Sequence, residues 1–329
     1  MMKRLLMTLL CLPLLAHSAP PKVSTVQLVF GGDVMLDDGP GRLIAAGGDP
    51  LAPIAALLQA ADVAIGNLET SIASATTGTP LDNKIYTFRA APHTVKVLKG
   101  RFTAMSVANN HSGDFGRDAF METLAHLRSV DIAAFGGGAN LAEAHTPYRI
   151  TKNGIRIALL GYDEFKPRSF EAGATWPGVA WSEDSAVVAD IRAAKAAGAD
   201  VVIPFMHWGW ESEPRPSQRQ RDLARLMVQA GADAVVGSHP HVTQGADMVL
   251  GKPVIWSLGN LVFDGFELPA AKLGWLLRMT VDKRGVQSWN TVAVRMDADG
   301  TPTADPNTPT PCGRRGWKHN NTCLRAKLP

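Results

Sequence analysis

Seven polar residues of this chain are of the types that bind borderline divalent ions: Asp33, Glu69, Asn110, His111, His207, His239 and His241. Carboxylates, an amide oxygen and imidazoles suit zinc, manganese or iron. Taken singly, each has an ordinary reading. Asp33 follows Gly31-Gly32 and can open a turn. Glu69 can cap a loop, and Asn67 beside it offers another ligand. Asn110-His111 can cap the segment that follows. His207, next to Trp208 and close to Trp210, suits a hydrogen-bonded core histidine. The segment Ser238-His239-Pro240-His241 is the most specific. Two histidines two apart in extended backbone project to the same side and can reach one site.

The elements that must carry these residues argue for the joint reading. Val26 to Phe30 reads as a strand ending at Gly31-Gly32-Asp33. Ala61 to Ile65 ends at Gly66-Asn67-Leu68-Glu69, Phe102 to Val107 at Asn109-Asn110-His111, Val201 to Met206 at His207, and Ala234 to Val236 at Gly237-Ser238-His239-Pro240-His241. Every polar cluster thus follows the carboxyl end of an apolar strand, the edge where open α/β sheets bind ligands. Helical patterns over Arg117–Ser129, Ser182–Ala197 and Ser217–Gly231 fill the gaps, which gives an α/β domain. Four of the nine histidines fall at such strand ends, too many for a chance scatter. Later, Val254–Leu258, Gly274–Val281 and Thr291–Met296 read as strands, with turn chemistry at Asp282-Lys283-Arg284-Gly285. Thr70 to Asp82 reads as a surface loop.

The ends and the composition set the expected compartment. Lys3 and Arg4 precede an apolar run from Leu5 to Ala16, and small residues follow at Ser18 and Ala19. That order is a secretory signal peptide over residues 1–19. The run is about 12 residues, against roughly 20 for a membrane-spanning helix. A periplasmic or secreted protein with no stable membrane span after cleavage is expected. Cys11 leaves with the signal, and Cys312 and Cys323 then read as one local disulfide in an oxidising compartment. The net charge is +3, and Lys3 and Arg4 supply two of those charges. A nearly neutral remainder gives no electrostatic case for nucleic acid. The expected organisation is residues 1–19 signal, 24–300 one main domain and 301–329 a peripheral Pro/Thr-rich tail.

Several blocks then resemble a known family. Gly32-Asp33-Val34-Met35-Leu36, Gly66-Asn67-Leu68-Glu69, Phe88-Arg89, Ala108-Asn109-Asn110-His111, Gly136-Gly137-Gly138-Ala139-Asn140, His207-Trp208-Gly209, Gly237-Ser238-His239-Pro240-His241 and Ser257-Leu258-Gly259-Asn260-Leu261-Val262-Phe263-Asp264 occur in the order of the CapA capsule-synthesis family. That family is linked to poly-γ-glutamate and related to calcineurin-like metallophosphatases. The resemblance implies a metallophosphatase-like two-sheet β-sandwich flanked by helices (αββα). It implies one or two divalent ions (Mn, Zn or Fe). One would take Asp33, Asn110, His207 and His239; the other would take Asp33 and His241, with Glu69 as the bridging carboxylate. His111 would be the histidine beside the substrate. The chain departs from the superfamily's Asp-x-His at Met35, a poor ligand for such ions. One ion is therefore short of a ligand.

The chemistry expected is metal-assisted hydrolysis of a phosphoester or an amide in an anionic polymer, with His111 as the acid to the leaving atom. Arg89 and Asn67 are candidates to bind substrate, and Glu211 and Glu213 to orient a ligand histidine. The other reading is a non-catalytic accessory protein that binds poly-γ-glutamate and works with the capsule-synthesis machinery.

Overall fold

Strict alternation of apolar side chains explains the layered architecture. The structure is a computed structural model and describes residues 24–323 apart from Asn83; the expected signal peptide, with Cys11, lies outside these residues. In the strand Val26–Val34, Leu28 and Phe30 enter one core while Val29 enters another. In Val201–His207, Val201, Ile203 and Phe205 face the first of these cores, and Val202 and Met206 face a third. Successive strand side chains point to opposite faces, so each strand here is covered on both sides.

The first core lies between two sheets. The larger runs in the order Asn321–Cys323, Thr310–Arg314, Gly285–Met296, Leu273–Asp282, Val26–Val34, Val63–Leu68, Ala104–Ser106, Ala133–Phe135; Asn260–Val262 also pairs with Val26–Val34. The smaller runs Ala246–Val249, Lys252–Ile255, Val235–Ser238, Val201–His207, Ile155–Asp163, Tyr148–Lys152. Phe30 and Phe205 meet edge to face across the interface, ring centres 5.9 Å apart. Outside the larger sheet lies the helix Gly116–Ser129, with Phe120 and Leu127 inward. Outside the smaller sheet lie Asp184–Ala196 and Gln218–Ala230, which bury Ile191, Leu223 and Met227. The expected αββα sandwich is the observed fold. Ser217 and Gln220 form a reciprocal capping box at the start of the last of these helices, and Gly231 at φ 120° ends it.

Parallel pairing decides where chemistry can occur. The strands Val26–Val34, Val63–Leu68, Ala104–Ser106 and Ala133–Phe135 are mutually parallel. So are Ile155–Asp163, Val201–His207, Val235–Ser238 and Lys252–Ile255. Each set delivers its carboxyl ends to one edge of its sheet. Ile155–Asp163, an apolar run not named among the expected strands, lies one strand in from the edge of the smaller sheet and pairs Asp163 with His207.

The segment after residue 300, expected to be peripheral, instead extends the larger sheet. Pro302–Asp305 and Thr310–Arg314 both pair with Gly285–Met296, and Asn321–Cys323 pairs with Thr310–Arg314. Cys312 is bonded to Cys323, and Arg315 clamps the Asp282 carboxylate at 2.7 and 2.9 Å. Pro obscures these strands because it reads as a break in the sequence yet is tolerated at a sheet edge. The expected loop from Thr70 likewise begins with a buried two-residue strand, Ser71–Ile72, paired with Arg89–Ala90. Among the described residues no helix is long and apolar enough to cross a membrane. Replacing both Cys312 and Cys323 by alanine is expected to lower the unfolding free energy by about 3 kcal/mol, the loop-closure value for a short loop. Ending the chain at Gly300 should cost far more, because it uncovers the edge of Gly285–Met296. Urea titration of the three proteins checks the order.

Candidate metal centre

The backbone brings the donors together by close approach. A Cβ on Gly32 would lie 1.8 Å from the carbonyl oxygen of Gly259, so only glycine lets that chain pass. The neighbouring amide of Asp33 donates to the same carbonyl at 3.1 Å. Asp33 pairs in register with Asn67 on one side and Asn260 on the other. The two late histidines converge differently from the expectation. His239 and His241 are not extended; both hold positive φ, 94° and 57°, in the bend after Val235–Ser238. A non-glycine residue at such φ costs on the order of 1–3 kcal/mol and is held by its surroundings.

Glu69, His207 and His239 present ligand atoms within 4.8 Å of one another, and so do Asp33, Glu69 and His241. Glu69 is the member common to both sets. The resemblance put Asp33 in both; in this geometry Asp33 belongs with His241, from which it lies 3.5 Å. The Oε1 of Glu69 is 3.6 Å from His207 Nε2, 3.7 Å from His241 Nε2 and 3.9 Å from His111 Nε2. Asn110, partly exposed, places Oδ1 2.7 Å from His207 Nε2, and His239 Nδ1 is 3.0 Å from that same nitrogen. Among the described residues, the Nε2 of His239 and both oxygens of Glu69 are buried with no hydrogen-bond partner, other than the neighbouring Asp33 carboxyl for Glu69.

Burial dominates the electrostatics. It raises the Glu69 carboxyl well above its ordinary range, and neighbouring Asp33 adds to the shift. Burial raises Asp33 too, against the pull of His241 and the Asn67 hydrogen bond. The imidazoles of His207 and His239 are pushed well below 6.5, first by burial and then by the other histidines. His111 is lowered by burial, opposed by Asp114. Without a cation, this cluster favours neutral groups.

A layer of amides and carboxylates aims the donors. Asn67 Nδ2 donates to Asp33 Oδ1 at 2.8 Å, and Asn67 Oδ1 accepts from Asn109 at 3.1 Å. Asn260 Oδ1 lies 2.8 Å from His241 Nδ1. Asp114 Oδ2 lies 2.7 Å from His111 Nδ1 and also accepts from the Phe88 amide at 2.8 Å. His111 Nδ1 thus lies between Asp114 and, at 3.2 Å, the Lys84 ammonium, and the ring turns Nε2 toward Glu69. Lys84 bridges Asp114 and the Asn110 carbonyl. Asp163, pushed up to about 7 by burial, accepts from the Phe165 amide at 2.9 Å. Phe165 then stacks on His239 at 4.1 Å, while Phe263 and Phe266 pack on His241 and Phe88 on His111.

The structure gathers Asp33, Glu69, Asn110, His111, His207, His239 and His241 at this edge, and it places other candidates elsewhere. Asn67 is buried behind the carboxylates with its amide committed to Asp33 and Asn109, so it orients Asp33 and does not meet substrate. Arg89 lays its guanidinium over Phe115 at 4.2 Å and reaches the Thr77 carbonyl; the cation beside the centre is Lys84. Glu211 and Glu213 are exposed, and Glu213 serves Arg215 and Gln244, so the histidines are oriented by Asn260 and Asp114 instead. Met35 is buried in a small cluster with Phe88, Phe263 and Met296, its sulfur 3.0 Å from the Asp37 amide. Asp114, three residues after His111, was the most legible of the residues passed over; Lys84 carries no local signal.

A buried set of carboxylates and imidazoles thus gathers at the strand ends of a two-sheet sandwich. The chain belongs to the bacterial capsule synthesis protein family PGA_cap, which matches residues 27–265. It is 34% identical over 257 residues to the PGA biosynthesis protein CapA of Bacillus subtilis, covering 74% of this chain and 66% of that one. It is 37% identical over 183 residues to the capsule biosynthesis protein CapA of Bacillus anthracis, covering 53% and 44%. The chain thus spans less than two thirds of these relatives. The NAD nucleotidase of Haemophilus influenzae superposes with a TM-score of 0.44 at 14% identity, over 86% of this chain and 49% of that one; the assignment rests on the family and the curated relatives.

Glu69 sets a test by stability. Its folded value lies above the unfolded 4.5, so the folded state holds the proton longer. The metal-free protein therefore loses stability from this group as pH rises above 4.5, and keeps it below. Glu69→Gln removes that loss. In chelator-treated samples the variant should be more stable than the parent at pH 8, with the difference shrinking toward pH 4.5. Thermal melts across that range check the sign.

Proposed function

We propose that the protein is an exported metal-dependent hydrolase acting on an anionic polymer, at a phosphoester or amide bond, in capsule or poly-γ-glutamate synthesis. The observation that carries the reading is the set of buried donor atoms without a compensating partner among the described residues: both Glu69 oxygens and His239 Nε2. Leaving such groups unsatisfied costs roughly 1–3 kcal/mol each, more when charged. Mixed nitrogen and oxygen donors within 4.8 Å suit one or two borderline divalent ions, which would satisfy them. Glu69, His207 and His239 would hold one ion, with Asn110 adjoining; Asp33, Glu69 and His241 would hold the other. A divalent ion there supplies Lewis acidity to a scissile carbonyl or phosphoryl oxygen.

The remaining work falls to side chains. His111 Nε2 faces the centre and can pass a proton to the departing atom when the ring is charged, while Asp114 holds the ring in place. Lys84 ties Asp114 to the backbone at Asn110. The rings of Phe88, Phe165, Phe263 and Phe266 keep water off the histidines and strengthen the field at the centre. Export is supported by the charged, apolar and small-residue order at the start of the chain and by the Cys312–Cys323 bond.

Met35 favours one second reading. With its sulfur turned into the apolar cluster, the first-block histidine of the superfamily has no replacement at that position, and a binding protein for poly-γ-glutamate needs no complete pair of ions. Elemental analysis of the purified protein and of His239→Ala/His241→Ala, with phosphodiester, phosphomonoester and γ-glutamyl polymer assays on the same samples, separates the two. Bound metal in the parent, lost with activity in the variant, is expected. Metal without turnover selects the binding protein. No metal after added manganese or zinc defeats both.

A further inference from the structure

Beside the centre lies a second recess that none of the chemistry above uses. Its volume is about 290 Å³, and its lining includes Phe165, Lys166, Trp208, Trp210, Arg219 and Gln220. Phe165 is a shared wall: its ring stacks on His239 at 4.1 Å and also meets Trp210 edge-on at 6.3 Å. Anything in the recess is therefore one ring away from a metal-binding histidine. The volume is at the bottom of the range for small-molecule sites, so it suits one short unit of a larger ligand.

The walls are built, and one side is open. Trp208 is fully buried, its indole nitrogen donating to the Trp256 carbonyl at 2.8 Å. Gln220 is 1% exposed and tied to Ser217 and Gln244. Gly209, at φ 89°, turns the chain between the two tryptophans, and a Cβ there would meet Gln220 at 2.8 Å. Trp210 by contrast is 64% exposed, a large apolar side chain in solvent at the mouth of a polar centre. With Phe165 beside it, Trp210 gives the recess an aromatic wall open to solvent.

The charges choose the ligand. Arg219 is committed to Glu164 at 2.7 Å and Asp184 at 2.6 Å. Lys166 is exposed and influences Glu164 without closing an ion pair within 4 Å. Glu164 also lines the recess, and its carboxylate is held by Arg219, so Lys166 is the cation left without a close ion pair among the described residues. An aromatic slot with that ammonium at its rim fits a unit with a methylene spine and a single carboxylate. The spine packs on Phe165 and Trp210, and the carboxylate reaches Lys166.

We infer that this recess is a subsite that holds the γ-linked glutamyl unit next to the one at the metal centre. The inference rests on the proposed function and names its substrate class. The slot gives the site a preference for a chain over a single unit, because a monomer cannot fill both positions.

The test measures binding of poly-γ-glutamate, and of free glutamate, to the metal-loaded protein and to Trp210→Ala and Lys166→Ala, with metal content and hydrolysis of a small phosphodiester recorded for each. Trp210 is exposed, so its removal should leave the fold and the metal content intact. Each variant is expected to weaken polymer binding roughly tenfold, the loss of one good anchor, while small-substrate turnover stays at the parent's level. Polymer binding by both variants at the parent's affinity overturns the subsite alone. Loss in Lys166→Ala but not in Trp210→Ala also overturns it, since charge without the aromatic wall is then sufficient. A parent protein that binds metal but no glutamyl polymer overturns the subsite and the polymer reading together, leaving the metal centre standing.

Discussion

Two carboxylates and three imidazoles are crowded into a volume that excludes water, and the rest of the molecule is arranged around that constraint. Glu69 and Asp33 are fully buried, as is His239. Transfer of a charged carboxylate into such a place is expensive unless a cation or donors compensate it. Asp33 has donors in Asn67 and the His239 amide. Among the described residues Glu69 has no such donor, and another carboxyl, Asp33, lies beside it. Its ionised form is therefore costly in this place, which couples its protonation to folding.

Holding that arrangement requires rigid support, and the sandwich supplies it. Each donor stands on or just beyond a strand whose two faces are packed, one against the opposite sheet and one against helices. The close passage of Gly32 over Gly259 draws the Asn260 strand against the Asp33 strand, and so brings the asparagine that fixes His241. The left-handed residues His239 and His241 are the most strained part of this edge. They are locked by Asp33, Asn260 and the rings of Phe165, Phe263 and Phe266. Strain of this kind persists where the surroundings over-determine the conformation.

The aromatic wrapping links the centre to its surroundings. Phe165 owes its place to Asp163, whose carboxylate holds its amide, and it serves the centre on one face and the Trp210 recess on the other. A chain related to proteins of capsule and PGA biosynthesis thus presents a buried cluster of candidate metal ligands beside an apolar, partly open wall. Net charge would not disclose this, because the overall balance is nearly neutral and the relevant groups are local.

The sequence by itself determined the class of fold, the strand ends that carry the chemistry and the donor types found there. Apolar runs closed by Asp33, Glu69, His207 and His239 are legible because period and polarity are local properties of the chain. Its motifs were also enough to indicate the family. What only the tertiary structure decided is which of these side chains approach one another and which residues aim them. Glu69, and not Asp33, stands between the two histidine groups, because the stagger of neighbouring strands sets that distance. Asn67 turned out to orient a carboxylate and Arg89 to cover Phe115, while Lys84 and Asp114 took the place beside His111. The strands after residue 300 were illegible for a related reason. An edge strand is specified by the partner it pairs with more than by its own residues, and that partner lies far away in the chain.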